Sequence, residues 1–145
     1  MRRADVAVKW RFFRHLLGGS DNEAERVYRW HINERIGPRM RAGLPTDQWK
    51  TTTDDYVDSA KALLKSMQEF GFVAQGAIPI DRAGELLGGA HRLACAVALD
   101  MPFVRVLQRC TDVWAPPWHR GWFIEHGMGS VDLAQMDADW KMMHW

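Results

Sequence analysis

Two cysteines, Cys95 and Cys110, are all that the chain contains, and no C-x-x-C spacing occurs. Neither a disulfide framework nor a cysteine zinc site is suggested, so a reducing, cytoplasmic setting is expected. No apolar run is long enough for a signal peptide or a membrane span, because Arg, Lys and His interrupt the N-terminal segment. A soluble protein with no membrane partner is the expectation. Internal repeats and low-complexity tracts are missing too, which argues against a solenoid or a linker.

No sign of charge dominates: 19 Lys and Arg stand against 18 Asp and Glu in 145 residues. The balance is uneven along the chain, however, with eleven basic and six acidic residues in 1–50 against eight and twelve in the remainder. A basic first third attracts nucleic acid, an anionic substrate or, most simply, the acidic remainder of the same chain. What the chain has in plenty is tryptophan. Eight of them, many late in the sequence, supply large apolar contacts for a core or for an interface, so a homo- or hetero-oligomer formed through the Trp-rich tail stays open.

The length suits one domain over 1–145, able to bury a core without cross-links. Residues 4–17 read as an amphipathic helix ended by Gly18-Gly19, and Ser20 with Glu23 forms a capping box for a second helix that Gly37-Pro38 stops. Arg26, Arg29, Arg35, Arg39 and Arg41 form a basic, mostly solvated surface around it. Residues 38–53 look irregular. A third helix starts at a Thr53 or Asp54 cap, repeats apolar residues from Tyr56 to Met67 and ends at Gly71. Carboxylates such as Asp54 and Asp55 at a helix start ordinarily cap it and complement its dipole.

Two short strands follow, at Ala77–Asp81 and Glu85–Leu87, with Pro79 pointing to an edge. A buried helix over Ala90–Leu99 leaves Cys95 a small core residue, and Phe103–Leu107 is a further strand. Two short helices close the chain near His119–His126 and Val131–His144; His119 and His126 lack a third ligand for a metal.

Gly88-Gly89-Ala90-His91-Arg92 is the most informative stretch, because it runs from an apolar strand through two glycines directly into a helix. Glycines let backbone approach a ligand, and the first N–H groups of the helix lack intrahelical partners. Such a junction suits a phosphate, to which Arg92 would add charge and His91 a donor, acceptor or charge. On its own it is also ordinary turn geometry.

Residues 54–107 as a whole, and Leu87-Gly88-Gly89-Ala90-His91-Arg92-Leu93-Ala94 in particular, resemble the ParB/sulfiredoxin superfamily. The resemblance implies an α+β fold with a small mixed sheet and packed helices over 54–107, flanked by a helical extension (1–50) and a Trp-rich helical tail (112–145). It further implies that Gly88, Gly89, Ala90, His91 and Arg92 bind nucleotide phosphates. Ala90 stands where sulfiredoxins carry their attacking cysteine, so that chemistry is not expected. No helix-turn-helix domain of the partition-protein kind is visible. In the small-molecule kinases of the superfamily a carboxylate before the first strand acts as general base, and by motif order Asp54 takes that place, with His91 and Arg92 stabilising the transferred group. Those kinases often begin the turn with an acidic residue where this chain has Gly88.

The resulting expectation is an ATP-dependent kinase, or one using another nucleotide, acting on a small-molecule hydroxyl with Mg2+ but no dedicated metal site. Asp55, Lys50 and Glu85 are candidate substrate or metal contacts. The alternatives are a non-catalytic nucleotide- or phosphate-binding module with a protein partner, and a nucleic-acid-associated protein.

Overall fold

The structure, a computed structural model, describes residues 3–41, 50–110 and 118–143. The centre of the expected irregular stretch (42–49), Trp114 to Pro117, His144 and Trp145 lie outside them. The described chain is helix-rich with a small two-stranded parallel sheet, an α+β arrangement.

Helix α1 (Asp5–Leu16) is the central packing element. Val6, Phe12 and Phe13 are fully buried, and burial of each such side chain stabilises the fold by about 1.5–3 kcal/mol. The helix ends at Leu17, and Gly18 takes the positive φ of 100° that reverses the chain. Helix α2 (Glu23–Arg41) differs from expectation at both ends. Its first turn is capped by Asp21, whose carboxylate accepts from the Glu23 N–H at 3.1 Å, so the Ser20 capping box does not set the start. At the other end the helix continues through Gly37-Pro38 to Arg41. Buried Ile32 and Ile36 hold this turn to the core, and that packing outweighs the hydrogen bond proline cannot donate.

Helix α3 (Thr53–Phe70) is capped by Thr52, one residue before the earlier of the two expected caps. Thr52 accepts from the Asp55 N–H while the Asp55 carboxylate accepts from Thr52, a reciprocal capping box, and Gly71 closes the far end at φ 70°. A 3-10 turn, Phe72–Gln75, leads to strand β1 (Ile78–Ile80). Glu85–Leu87 is not a full strand. Only an antiparallel bridge between Leu86 and Ile80 forms, because the turn after Asp81 is closed by its own side chain, which accepts from the Ala83 and Glu85 N–H groups. Helix α4 (Ala90–Ala98) then crosses back to strand β2 (Val106–Gln108), which pairs in parallel with β1, Ile78 opposite Val106 and Ile80 opposite Gln108. The strand therefore starts three residues later than Phe103, which is exposed.

Helix α4 is buried on nearly all sides, with Cys95 inside, and packs chiefly on α1. Helices α5 (Arg120–Glu125) and α6 (Ser130–Met142) complete the described chain. Trp122 and Phe123 enter the core, and Asp132 and Asp137 of α6 pair with Arg26 and Arg120. No described helix is long and apolar enough to cross a membrane.

Candidate functional site

Three helices converge on the glycine turn. Gly89 adopts the left-handed conformation, φ 73° and ψ 21°, and offers α4 no side-chain cap, and the first turn of the helix, Ala90 to Arg92, lines a cavity. A Cβ on Gly89 would lie 3.0 Å from a guanidinium nitrogen of Arg92, a second reason for glycine there. The cavity, about 380 Å³, is lined by Leu87 to Arg92 from the turn and by Arg3, Lys9, Arg35 and Trp118 from elsewhere. Arg3 and Lys9 come from the start of α1, Arg35 from α2, and Trp118 precedes α5. The Trp118 ring lies 5.4 Å from the guanidinium carbons of Arg3 and Arg35 and 5.7 Å from Nζ of Lys9, in range for cation–π attraction.

One carboxylate organises this positive charge. Asp5 is fully buried; its Oδ1 accepts from Arg3 Nε at 2.8 Å, and its Oδ2 from Arg3 Nη2 at 2.9 Å and from Lys9 Nζ at 2.5 Å. Arg3 Nη1 also donates to the Leu86 carbonyl at 2.8 Å, tying the pair to the segment that enters the glycine turn. Burial alone would raise the Asp5 carboxyl, but attraction to Lys9 and the bonds from Arg3 outweigh it and hold it well below the usual carboxylate range. Burial depresses the Lys9 ammonium to about 8, reinforced by Arg35 and Arg3 and opposed by Asp5.

His91 is enclosed between this cavity and a second, polar one of about 450 Å³, which Lys50, Tyr56, Ser59, Ser66 and Gln75 also line. Its Nε2 is 2.9 Å from the Tyr28 hydroxyl, which in turn donates to the Tyr56 carbonyl at 3.3 Å. Burial first, then the charges of Lys9, Arg35 and Lys50, push the ring well below its ordinary value, so His91 is neutral at neutral pH. It serves as a hydrogen-bonding group and not as a cation.

Arg92 lines the cavity and is also tied to backbone. Its Nη1 donates to the carbonyls of Gln75, Gly76 and Ala77 at 2.8, 3.2 and 3.1 Å, which fastens the approach to β1 onto α4. Asp54 lines neither cavity: its carboxylate is three-quarters exposed and takes a 2.6 Å ion pair from Arg29 Nη1. Asp55 is engaged in the α3 cap, and the N–H groups of Thr51 and Thr52 hold its carboxyl below the ordinary value. Lys50 lies in the polar cavity, 5.0 Å from the Tyr56 ring, and Glu85 in a separate apolar cavity with Ile78, Leu93 and Trp140. His119 and His126 each bond to the Trp122 backbone, and among the described residues no His, Cys, Asp or Glu group is arranged to hold a metal.

The turn is visible in the sequence, whereas the approach of Arg3, Lys9, Arg35 and Trp118 to it is not. Asp5 and Lys9 are four apart on α1, a spacing that places them on one helix face, but only the tertiary fold shows that this face meets the glycine turn. No protein-family model, curated protein or solved structure matches this chain, so the resemblance to the ParB/sulfiredoxin superfamily rests on its own motif.

Proposed function

We propose that this protein binds the phosphate groups of a nucleotide or another small phosphorylated ligand in the cavity at the N-terminus of α4. The observation that carries this reading is the charge of the lining: four cationic side chains, Arg3, Lys9, Arg35 and Arg92, line a cavity of about 380 Å³ at the N-terminus of α4, which has no side-chain cap, and the carboxylate paired with Arg3 and Lys9, Asp5, does not line it. The polar cavity across His91 receives the remainder of the ligand, with Ser59, Ser66 and Gln75 as hydrogen-bonding groups.

Binding is favoured over phosphoryl transfer, because a transfer also needs a group to orient or deprotonate the acceptor, and Asp54 lines neither cavity. An ATP-dependent kinase of the ParB/sulfiredoxin-like kind remains the second reading, supported by the Gly88–Arg92 motif and by Lys50 in the adjoining cavity.

A thermal-shift series with phosphate, pyrophosphate, ADP, ATP, CTP and GTP tests the proposal. A ligand bound only by the folded state at 100 times its Kd adds about 2.7 kcal/mol and raises the Tm. No shift beyond that of sodium chloride at equal ionic strength would refute it.

A further inference from the structure

We propose that the free edge of β2 is a docking site for an extended segment of a partner protein in which apolar and acidic residues alternate. The edge lies outside the phosphate cavity, and the inference does not depend on the phosphate-binding reading.

The strand exposes what strands ordinarily cover. Val106 is 54% and Leu107 45% exposed, and Phe103 just before them 67%. Among the described residues only β1 pairs with β2. The Arg105 carbonyl accepts from the Ile78 N–H at 2.8 Å, and the Arg109 N–H donates to the Ile80 carbonyl at 2.8 Å. Residues 105, 107 and 109 therefore turn their backbone groups toward β1, and Val106 and Gln108 turn theirs to the open side. No described backbone group bonds to them there. Such an edge is a template on which a further strand can pair.

The two faces of the edge set the chemistry of the partner. Side chains alternate along an extended segment, so Val104 and Val106 share one face and Arg105, Leu107 and Arg109 the other. Val104 and Val106 line the apolar cavity of about 470 Å³ together with Ile78 and Ile80 of β1, Leu93 of α4 and Trp140 of α6. A strand added beside β2 lays every second side chain over this apolar surface. On the opposite face Arg105 and Arg109 are exposed and form no ion pair among the described residues. Acidic side chains directly across from them form cross-strand charge pairs.

Charge on an edge also serves to keep strands apart. Here it is confined to one face, and the other face opens onto the apolar cavity, a combination that admits a partner of the matching pattern. A second copy of the chain does not match. Residues 103–109 contain no carboxylate, so the copy brings the same arginines, and antiparallel pairing centred on Leu107 sets Arg105 opposite Arg109, where like charges repel.

Amide NMR and calorimetric titration of the full chain with the blocked peptide acetyl-Val-Glu-Val-Glu-Val-Glu-Val-amide test the inference, with the peptide carrying Lys in place of Glu as control. The Glu peptide is expected to shift the amides of Val106 and Gln108 saturably and to bind about tenfold more tightly than the Lys peptide. A chain with Arg105→Glu and Arg109→Glu, altered only at exposed positions, is expected to keep its amide spectrum away from the strand and to reverse that preference. Equal affinity for the two peptides, or a preference that survives the charge reversal, would overturn the acidic partner. Shifts that fail to saturate or that centre away from Val106 and Gln108 would overturn the site. Concentration-dependent shifts of these amides without peptide would assign the edge to a second copy and overturn the inference as well.

Discussion

Nζ of Lys9 lies 2.5 Å from Oδ2 of Asp5, with both side chains sequestered from solvent, and the same lysine lines the cationic cavity. Asp5 holds two buried cations, Lys9 and Arg3, whereas Lys9 is one of two partners of Asp5. Removing the carboxylate therefore strands more charge than removing the amine. Asp5→Asn is expected to cost about 3–5 kcal/mol and Lys9→Met less than that, both measured by urea denaturation. Equal costs would contradict this hierarchy.

The depressed Lys9 has a consequence for pH. Its folded value of about 8 lies below its ordinary 10.5, so between these values the unfolded chain binds more protons and the Lys9 contribution to stability rises with pH. Asp5 acts at the other end: its folded value is lowered, so its contribution is present above the ordinary 3.8 and is lost as pH falls below it. An anion bound beside Lys9 favours the ammonium. Ligand binding above about pH 8 should accordingly take up a proton, seen as a buffer-dependent heat that Lys9→Met removes. The same heat in every buffer would count against Lys9 facing the ligand.

Gly89 and Gly84 both have positive φ, 73° and 82°, but only Gly89 has a neighbour, the Arg92 guanidinium, where a Cβ would go. Gly84→Ala should cost about 1 kcal/mol from backbone conformation alone. Gly89→Ala should cost more and weaken phosphate binding as well, because displacing Arg92 loosens its bonds to residues 75–77. Chemical denaturation of the two variants side by side measures the difference.

Asp54→Asn removes an exposed ion pair with Arg29, and such pairs contribute about 0–1 kcal/mol. Phosphate-ligand affinity is expected to stay within about twofold of the parent, by titration. A tenfold loss would place Asp54 in the site after all.

Much of the architecture was legible in the sequence because it follows from local pattern. The apolar spacing of Tyr56 to Met67, the glycine at 71 and the apolar run from Leu93 to Ala98 specify their helices without reference to anything distant. The errors lie where tertiary packing outweighs local preference: α2 continues through Pro38 because Ile32 and Ile36 are buried, and Asp21 displaces Ser20 as its cap. For the site, the turn and Arg92 are legible in the sequence and the remaining cations are not. Arg92, the basic residue adjacent to the glycines, lines the cavity while securing backbone carbonyls, and it is joined there by Arg3 and Lys9, more than 80 positions away in sequence. Chain order does not carry that juxtaposition; it arises when α1 packs on α4.

Backbone amide NMR during a pyrophosphate titration tests whether phosphate is held at the α4 N-terminus. The amides of Gly88, Gly89, Ala90 and His91 and the indole N–H of Trp118 are predicted to show the largest shifts, saturating together with a single Kd. Shifts that do not saturate, or that centre on the exposed arginines of α2 while Gly88 to His91 stay fixed, would contradict it.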